Sequence, residues 1–259
     1  SWNLRPTVCS LSTAENINAI LQADNLWRPM GSTILGLSLI ASGKPKEGVE
    51  TLEIAAFQML EREDDLVELC MAPALLDAYT QARYVEKGLN AVNYILKTYS
   101  ELNIEGVMGK SELLRQRANL LMMKKFPGYS PDRPQTKMDS FIEEIISGEG
   151  VPEIVRPQYG PLVAGTVQSY LSMPTDPGNE DIEMILRSAM NLAQIRGLFL
   201  IELRCSVDLA RYFLLSGNLT AAQEAVQTIT DCMAKIRGPS DCPELQSARQ
   251  VITLVQQYS

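Results

Sequence analysis

The feature that most constrains this chain is a pattern of helix, breaker and helix that repeats after about 40 residues. Residues 32–41 are mostly apolar and end at the breaker Gly43-Lys44-Pro45, after which apolar residues recur at helical spacing. Residues 66–99 repeat this order, and residues 212–226 align as a third copy. In the first two copies the aligned pairs are Leu35 and Leu75, Leu39 and Tyr79, Gly48 and Gly88, Val49 and Leu89, and Leu52 and Val92.

Two helices per repeat predict an all-α fold, a right-handed α-solenoid of tetratricopeptide-like helical hairpins. The physical reason is that one helix pair cannot bury its own apolar face, so successive pairs stack and cover one another. Small residues allow helices to approach closely where they cross. The candidates are Gly36, Gly48, Ala55, Ala56, Gly88, Ala189, Ala193, Ala210 and Ala225.

The same pattern predicts a single helical-repeat domain over residues 1–259. Its parts are N-terminal repeats at 27–125, an irregular insertion rich in proline and glycine at 126–180, and C-terminal repeats at 181–259. Proline removes a backbone donor and clashes with the preceding helical turn, so the insertion has room only for short helices, predicted at 138–147 and 159–172. Four longer helices are predicted after it, at 181–196, 198–215, 220–237 and 244–258.

Histidine is absent from the sequence, and this absence excludes several kinds of site. Ser-His-Asp and Cys-His nucleophiles, histidine-ligated zinc and histidine acid–base catalysis all require that side chain. The five cysteines include no C-x-x-C pair, a pattern typical of reduced thiols in a cytosolic protein. We therefore expect no metal, no cofactor and a cytoplasmic location.

The net charge of −8 argues against nucleic acid and anionic membrane surfaces as partners. No run of about 18 apolar residues occurs, so no membrane-spanning segment is expected.

Two local motifs resemble sites that bind phosphate or a metal cation. The stretch GVMGKS ends in Gly-Lys-Ser at Ser111, but a phosphate-binding loop would need glycine where Ile104 stands. Ser111 is instead predicted to cap the helix that follows, with Glu112 in its first turn. The acidic residues from Glu61 to Asp65 lack the spacing of a calcium loop and are predicted to form a solvated connection. No catalytic, metal-binding or cofactor-binding residue is therefore assigned.

The predicted helix at 198–215 carries four ionisable residues between two apolar stripes. Arg204 and Asp208 are four positions apart and Asp208 and Arg211 three apart, so both pairs can form along the helix surface. Two apolar stripes indicate an inner solenoid helix with its polar strip on the concave groove. Arg115, Arg204, Asp208 and Arg211 are the candidate groove contacts, and an arginine there could bind a partner's carboxylate.

Three motifs occur in order along the second half of the chain. They are SELLRQRANLLM from Ser111, DIEMILRSAMNLAQIRGLFLIELRCSVDLARYFLLSGN from Asp181, and DCPELQSARQVI from Asp241. This order resembles the tetratricopeptide-like C-terminal repeat region of large bacterial signalling ATPases. In those proteins an adenylate/guanylate cyclase or a DNA-binding regulator domain precedes a STAND-type ATPase domain.

The matching positions are mostly packing residues. They comprise Ser111–Arg115, Ala193–Gly197, Ile201–Arg204, Leu209–Arg211, and the set Glu244, Leu245, Ala248 and Arg249. The chain departs from the family pattern at residues 126–180, since the family passes almost directly from the first motif to the second. No ATP-binding loop or cyclase motif lies in this chain, so neither activity is assigned to it.

The resemblance implies a non-catalytic sensor or scaffold segment of a multidomain signalling protein. Its partner would be a protein, a peptide or a small ligand, including its own upstream ATPase or cyclase domains. Two alternatives remain open. A helical-toroid enzyme would place carboxylates with strongly perturbed pKa values in a deep pocket, whereas a scaffold that only mediates oligomerisation would need no pocket.

Overall fold

The computed structural model describes residues 11–22, 28–60, 65–101, 109–131, 181–236 and 242–258. Within these ranges the regular elements are all α-helices, which confirms the all-α prediction for this part of the chain. The two short helices predicted inside the 126–180 insertion, and most of the acidic connection that starts at Glu61, lie outside the described residues. None of the described helices has the length and apolarity needed to cross a bilayer.

The chain divides into two compact units, one mainly from residues before position 104 and one mainly from residues after it. The described helices of the first unit are α1 (Leu11–Leu21), α2 (Arg28–Ala41), α3 (Pro45–Leu60), α4 (Asp65–Ala82) and α5 (Val85–Glu101). Each helix packs on the next along the chain, and α2 also packs on α4. Val49, Leu52, Leu76 and Val92 lie in the interior of this unit with no exposed surface.

The described helices of the second unit are α6 (Gly109–Lys125), α7 (Ile182–Ile195), α8 (Phe199–Leu215), α9 (Leu219–Lys235) and α10 (Pro243–Gln257). Helix α8 is central, because it packs on all four others. The sequence pattern places α6 among the N-terminal repeats, but this helix packs on α7 and α8 and belongs to the second unit. The single-domain organisation stays a prediction.

Side-chain caps explain where two of these helices begin. Asp181 precedes α7, and its Oδ1 accepts hydrogen bonds from the backbone N–H groups of Glu183 and Met184 at 3.0 and 3.3 Å. Asn218 precedes α9 and accepts from the N–H of Ala221 at 3.1 Å. Both residues satisfy donors that the first turn of a helix leaves without a partner.

The same type of turn follows four of the described helices, α2, α4, α7 and α8. One residue of each turn lies in the left-handed region, and these residues are Gly43, Arg83, Gly197 and Gly217, with φ of 79°, 60°, 65° and 73°. The residue that follows donates its N–H to a carbonyl five positions back. These bonds run from Lys44 to Leu39, Tyr84 to Tyr79, Leu198 to Ala193, and Asn218 to Phe213, all at 2.9 Å. The pattern is a Schellman C-cap, which satisfies the last carbonyls of each helix.

The turns agree with the repeat offset found in the sequence. Gly43 and Arg83 occupy the same position of the same turn, forty residues apart. Because each connection is only two or three residues long and joins helices that pack together, the joined helices are antiparallel.

Helices α2 and α3 cross at two glycines, Gly36 and Gly48, which the sequence pattern predicts as points of close approach. A Cβ atom added to Gly48 would lie 2.8 Å from the carbonyl oxygen of Gly36 and 2.5 Å from Cγ1 of Ile40. A Cβ atom on Gly36 would lie 2.7 Å from Cγ of Leu52. The two backbones are therefore in direct contact, and no side chain fits between them.

The turn geometry generates a prediction about alanine substitutions. A Cβ atom at Gly197 or Gly217 would have no atom within 4 Å, so only the positive φ opposes a side chain there. Gly197→Ala and Gly217→Ala should each lower the free energy of unfolding by about 1 kcal/mol, measured by urea denaturation. Glu50→Ala, at an exposed position within α3, is the control and should stay within about 0.5 kcal/mol of the unmodified chain. Equal stability of the two glycine variants and the unmodified chain would contradict the turn assignment.

Candidate functional site

The described ionisable side chains that are buried in the second unit are concentrated around α8. This helix is buried along nearly its whole length, and Glu202, Asp208 and Arg211 are buried with it. Charged groups in such a place need partners that replace water. The neighbouring helices supply these partners.

Asp208 lies at the centre of the arrangement and is 1 % exposed. Its Oδ2 accepts hydrogen bonds from Nη1 of Arg115 at 2.7 Å and from Nδ2 of Asn119 at 2.8 Å, both on α6. Its Oδ1 accepts a third bond from Nη1 of Arg211 at 3.0 Å. Three donors thus share one carboxylate, and two of them carry a positive charge.

A second carboxylate, Glu112 on α6, is bound by two arginines. Arg115 forms a two-pronged pair with it, Nη2 to Oε1 at 2.7 Å and Nε to Oε2 at 2.9 Å. Nη1 of Arg204 on α8 lies 3.5 Å from the same Oε1. The other end of the Arg204 guanidinium, Nη2, donates to Oε1 of Glu244 on α10 at 2.6 Å.

Neutral side chains extend this arrangement in two directions. Tyr129, fully buried after the end of α6, donates its hydroxyl to Oδ1 of Asn119 at 3.0 Å. Arg211 donates from Nη2 to Oγ of Ser247 on α10 at 2.8 Å. We refer to the whole set as the buried charge network: Glu112, Arg115, Asn119, Tyr129, Arg204, Asp208, Arg211, Glu244 and Ser247.

The buried charge network contains three arginines and three carboxylates, so its formal charges cancel. Burial by itself would raise the pKa of Glu112, but the guanidinium groups of Arg115 and Arg204 outweigh it and hold that pKa below the usual range. Burial also raises the pKa of the Cys205 thiol on α8, so this cysteine stays protonated at neutral pH. The network therefore holds α6, α8 and α10 together through paired carboxyl and guanidinium groups.

A smaller cluster lies around Glu202 on another side of α8. Its Oε1 accepts from Nε2 of Gln194 at 2.9 Å and lies 3.4 Å from Nζ of Lys235. Burial raises the pKa of the nearby Cys232 to about 11, with a further contribution from the hydrogen bond between its thiol and Glu202. This carboxylate, like those of the network, is held by donors from adjacent helices.

All four sequence candidates, Arg115, Arg204, Asp208 and Arg211, come together in the buried charge network. The predicted pair of Asp208 and Arg211 is confirmed. Arg204, in contrast, pairs with Glu112 of α6 and Glu244 of α10, at 3.5 and 2.6 Å. The role of the four as groove contacts stays a prediction.

The sequence pattern predicts that the polar strip of α8 faces the concave groove, which stays a prediction, and the structure buries two residues of this strip, Asp208 and Arg211, in the second unit. Both side chains lie in the interior because α6 and α10 cover them. The predicted cap of α6 at Ser111 is wrong, since that helix begins earlier, at Gly109, and Ser111 is a buried residue within it.

The sequence pattern alone does not identify five members of the buried charge network, namely Glu112, Asn119, Tyr129, Glu244 and Ser247. Glu112 and Glu244 do lie within the motifs on which the family resemblance depends. An acidic residue in an otherwise packing-type motif is a signal that could have indicated a buried partner for arginine.

The described surface contains little else that resembles a binding site. No group of three or more potential metal-ligating side chains occurs among the residues that the structure describes. A depression along the exposed side of α7 is open to solvent and is lined by that helix and its cap. Its lining residues are Asp181, Glu183, Met184, Arg187, Ser188 and Asn191.

Comparisons with family models, with curated proteins and with solved structures return no match to this chain. The resemblance to the repeat region of signalling ATPases is therefore a prediction from motifs.

The central position of Asp208 generates a prediction about stability. Asp208→Asn removes one negative charge and leaves Arg115 and Arg211 without their shared carboxylate in a buried site. The free energy of unfolding of the second unit should fall by about 3–5 kcal/mol, measured by chemical denaturation. Asp231→Asn, at an exposed position on α9, is the matched control and should change it by no more than about 0.5 kcal/mol. A loss as small as that of the control would show that the network contributes little.

The lowered pKa of Glu112 generates a prediction about pH. A carboxyl group with a depressed pKa in the folded state stabilises the fold above its unfolded pKa and loses this contribution as pH falls through the folded value. The free energy of unfolding should therefore decrease below about pH 4.5. Glu112→Gln should be less stable than the unmodified chain at about pH 7, and this difference should shrink at about pH 3. A difference that is constant with pH would contradict the assignment.

Proposed function

We propose that this chain is a non-catalytic helical-repeat segment of a multidomain signalling protein. It folds as a right-handed α-solenoid of tetratricopeptide-like hairpins and acts in the cytoplasm. Its role is to bind a protein, peptide or small ligand and to regulate attached domains, a nucleotide cyclase or a regulator linked to a STAND-type ATPase. The proposed partners include those upstream domains.

The observation that carries the proposal is the state of the buried charges. The three carboxylates of the buried charge network are matched by three arginines, and three of the five ion pairs between them join different helices. A catalytic carboxyl needs a pKa near the working pH and access to substrate, whereas the pKa of Glu112 is depressed by its partners. Charged pairs that hold helices together support a scaffold in which a shift of one helix displaces its neighbours.

The repeated hairpins support the solenoid part of the proposal. Helices joined by the same C-cap turn pack on their sequence neighbours and, in places, on the next but one. Stacked hairpins of this kind give extended surfaces for partners. Arg204 is the network arginine with the most exposed side chain, 28 %, and is the residue we propose for contact with a partner's carboxylate.

Exposed apolar side chains favour one alternative, a scaffold that mediates oligomerisation. Met184, Ile195 and Phe199 are 60, 74 and 45 % exposed on and beside α7. Light scattering on the purified chain tests this alternative, since a monomer at micromolar concentration would remove it.

The proposed function is tested on the longer gene product that contains this chain. We expect a cyclase or STAND-type ATPase domain in it, and deletion of residues 11–258 should change its basal nucleotide turnover by about 5-fold or more, the size of a typical regulatory coupling. Retained nucleotide affinity of the shortened protein is the control for folding. The proposal fails if turnover is unchanged, if no such domain is present, or if the isolated chain itself turns over nucleotide.

A further inference from the structure

The guanidinium group of Arg204 contacts one carboxylate from each of two neighbouring helices. Arg204 belongs to α8, and its two terminal nitrogens lie 3.5 Å from Oε1 of Glu112 and 2.6 Å from Oε1 of Glu244. Glu112 is in the first turn of α6 and Glu244 is in the first turn of α10. The beginnings of both helices therefore meet the same side chain.

Sharing has an energetic consequence. If either carboxylate is neutralised, Arg204 keeps the other as a partner, and its partly buried charge is still balanced. If both are neutralised, the guanidinium loses both of these partners in a site where only 28 % of the side chain is exposed. Removing both charges should therefore weaken the unit by more than the two separate losses predict, as is found for residues that share one network.

We infer that Arg204 couples α6 to α10, so that the opening of α10 depends on the charge at Glu112. Helix α10 packs on α8 and α9, and α6 packs on α7 and α8, so α8 is the common element between them. Glu112 acts on α10 through Arg204 and is a positioning residue for that helix. A second connection runs from Arg115 of α6 through Asp208 and Arg211 of α8 to Ser247 of α10. It differs from the first because its described contacts give no single side chain that contacts both α6 and α10.

The coupling is a conformational device of the second unit. A displacement of the first turn of α6 withdraws one carboxylate from Arg204 and leaves Glu244 as the carboxylate that Arg204 still contacts. The device does not require the proposed partner, because it concerns the chain by itself. It would explain how a shift at α6 reaches the last described helix.

Hydrogen–deuterium exchange on the full 259-residue chain tests the inference. The readout is the protection of amides in α10, compared with that of amides in the middle of α8. Glu244→Gln should reduce the α10 protection about 10-fold, the loss of one charge-assisted hydrogen bond. Glu112→Gln should reduce it about 3-fold or less, because Glu244 still holds Arg204.

The double variant decides between coupling and independence. Its loss of protection in α10 should exceed the product of the two single losses by about 5-fold or more. In an Arg204→Met background the same three variants should follow the product rule within about 2-fold. The inference is overturned if the product rule already holds with Arg204 present, or if the excess persists without it.

A conservative variant keeps the test decisive if a Glu112→Gln chain does not fold. Arg204→Lys retains the positive charge but lacks the fork that reaches two carboxylates at once. It should reduce protection in α10 while leaving the amides of the α8 centre within about 2-fold of their original protection. Equal protection of α10 in the Arg204→Lys variant and the unmodified chain would overturn the inference, whatever the function of the protein.

Discussion

The structure of the second unit depends on the neutrality of its buried charges. Moving a single carboxylate or guanidinium out of water is strongly unfavourable, and only close pairing with good geometry offsets it. Here three of each sign are placed so that every carboxylate has an arginine within 3.0 Å. Helix α8 can therefore carry charge through the centre of the unit without an open pocket to solvate it.

We expect such a network to contribute more to the choice of helix arrangement than apolar contacts do. Apolar side chains tolerate small shifts of one helix along another, whereas a two-pronged pair such as Arg115 with Glu112 has a preferred geometry. Leu203 and Ala210, both fully buried on α8, provide area but little directional preference. We therefore expect the charges to set the register of α6 and α10 against α8, and the apolar residues to supply most of the free energy of burial.

The sequence predicts those parts of this structure that depend on residues close together in the chain. Hairpin turns at Gly43 and Gly197 and the pair of Asp208 with Arg211 are local, since each involves residues within one helix or one connection. Arg115 and Asp208 are 93 positions apart, and nothing in either helix indicates that α6 would cover that part of α8. The predicted pairing of Arg204 with Asp208 is wrong because it rests on their spacing of four residues along one helix. The actual partners of Arg204, Glu112 and Glu244, lie on other helices and are distant in the chain.

The recurring turn has a consequence for how a chain of this kind changes in length. Each of its occurrences encodes a reversal of direction within a few residues and makes no demand on helices further away. A hairpin that ends in this way is a self-contained unit of sequence. Gene duplication can therefore copy or delete a whole hairpin without changing the turns of the adjacent hairpins. The presence of Arg83 at one of these positions shows that the junction accommodates a side chain, at a cost of about 1 kcal/mol for the left-handed backbone.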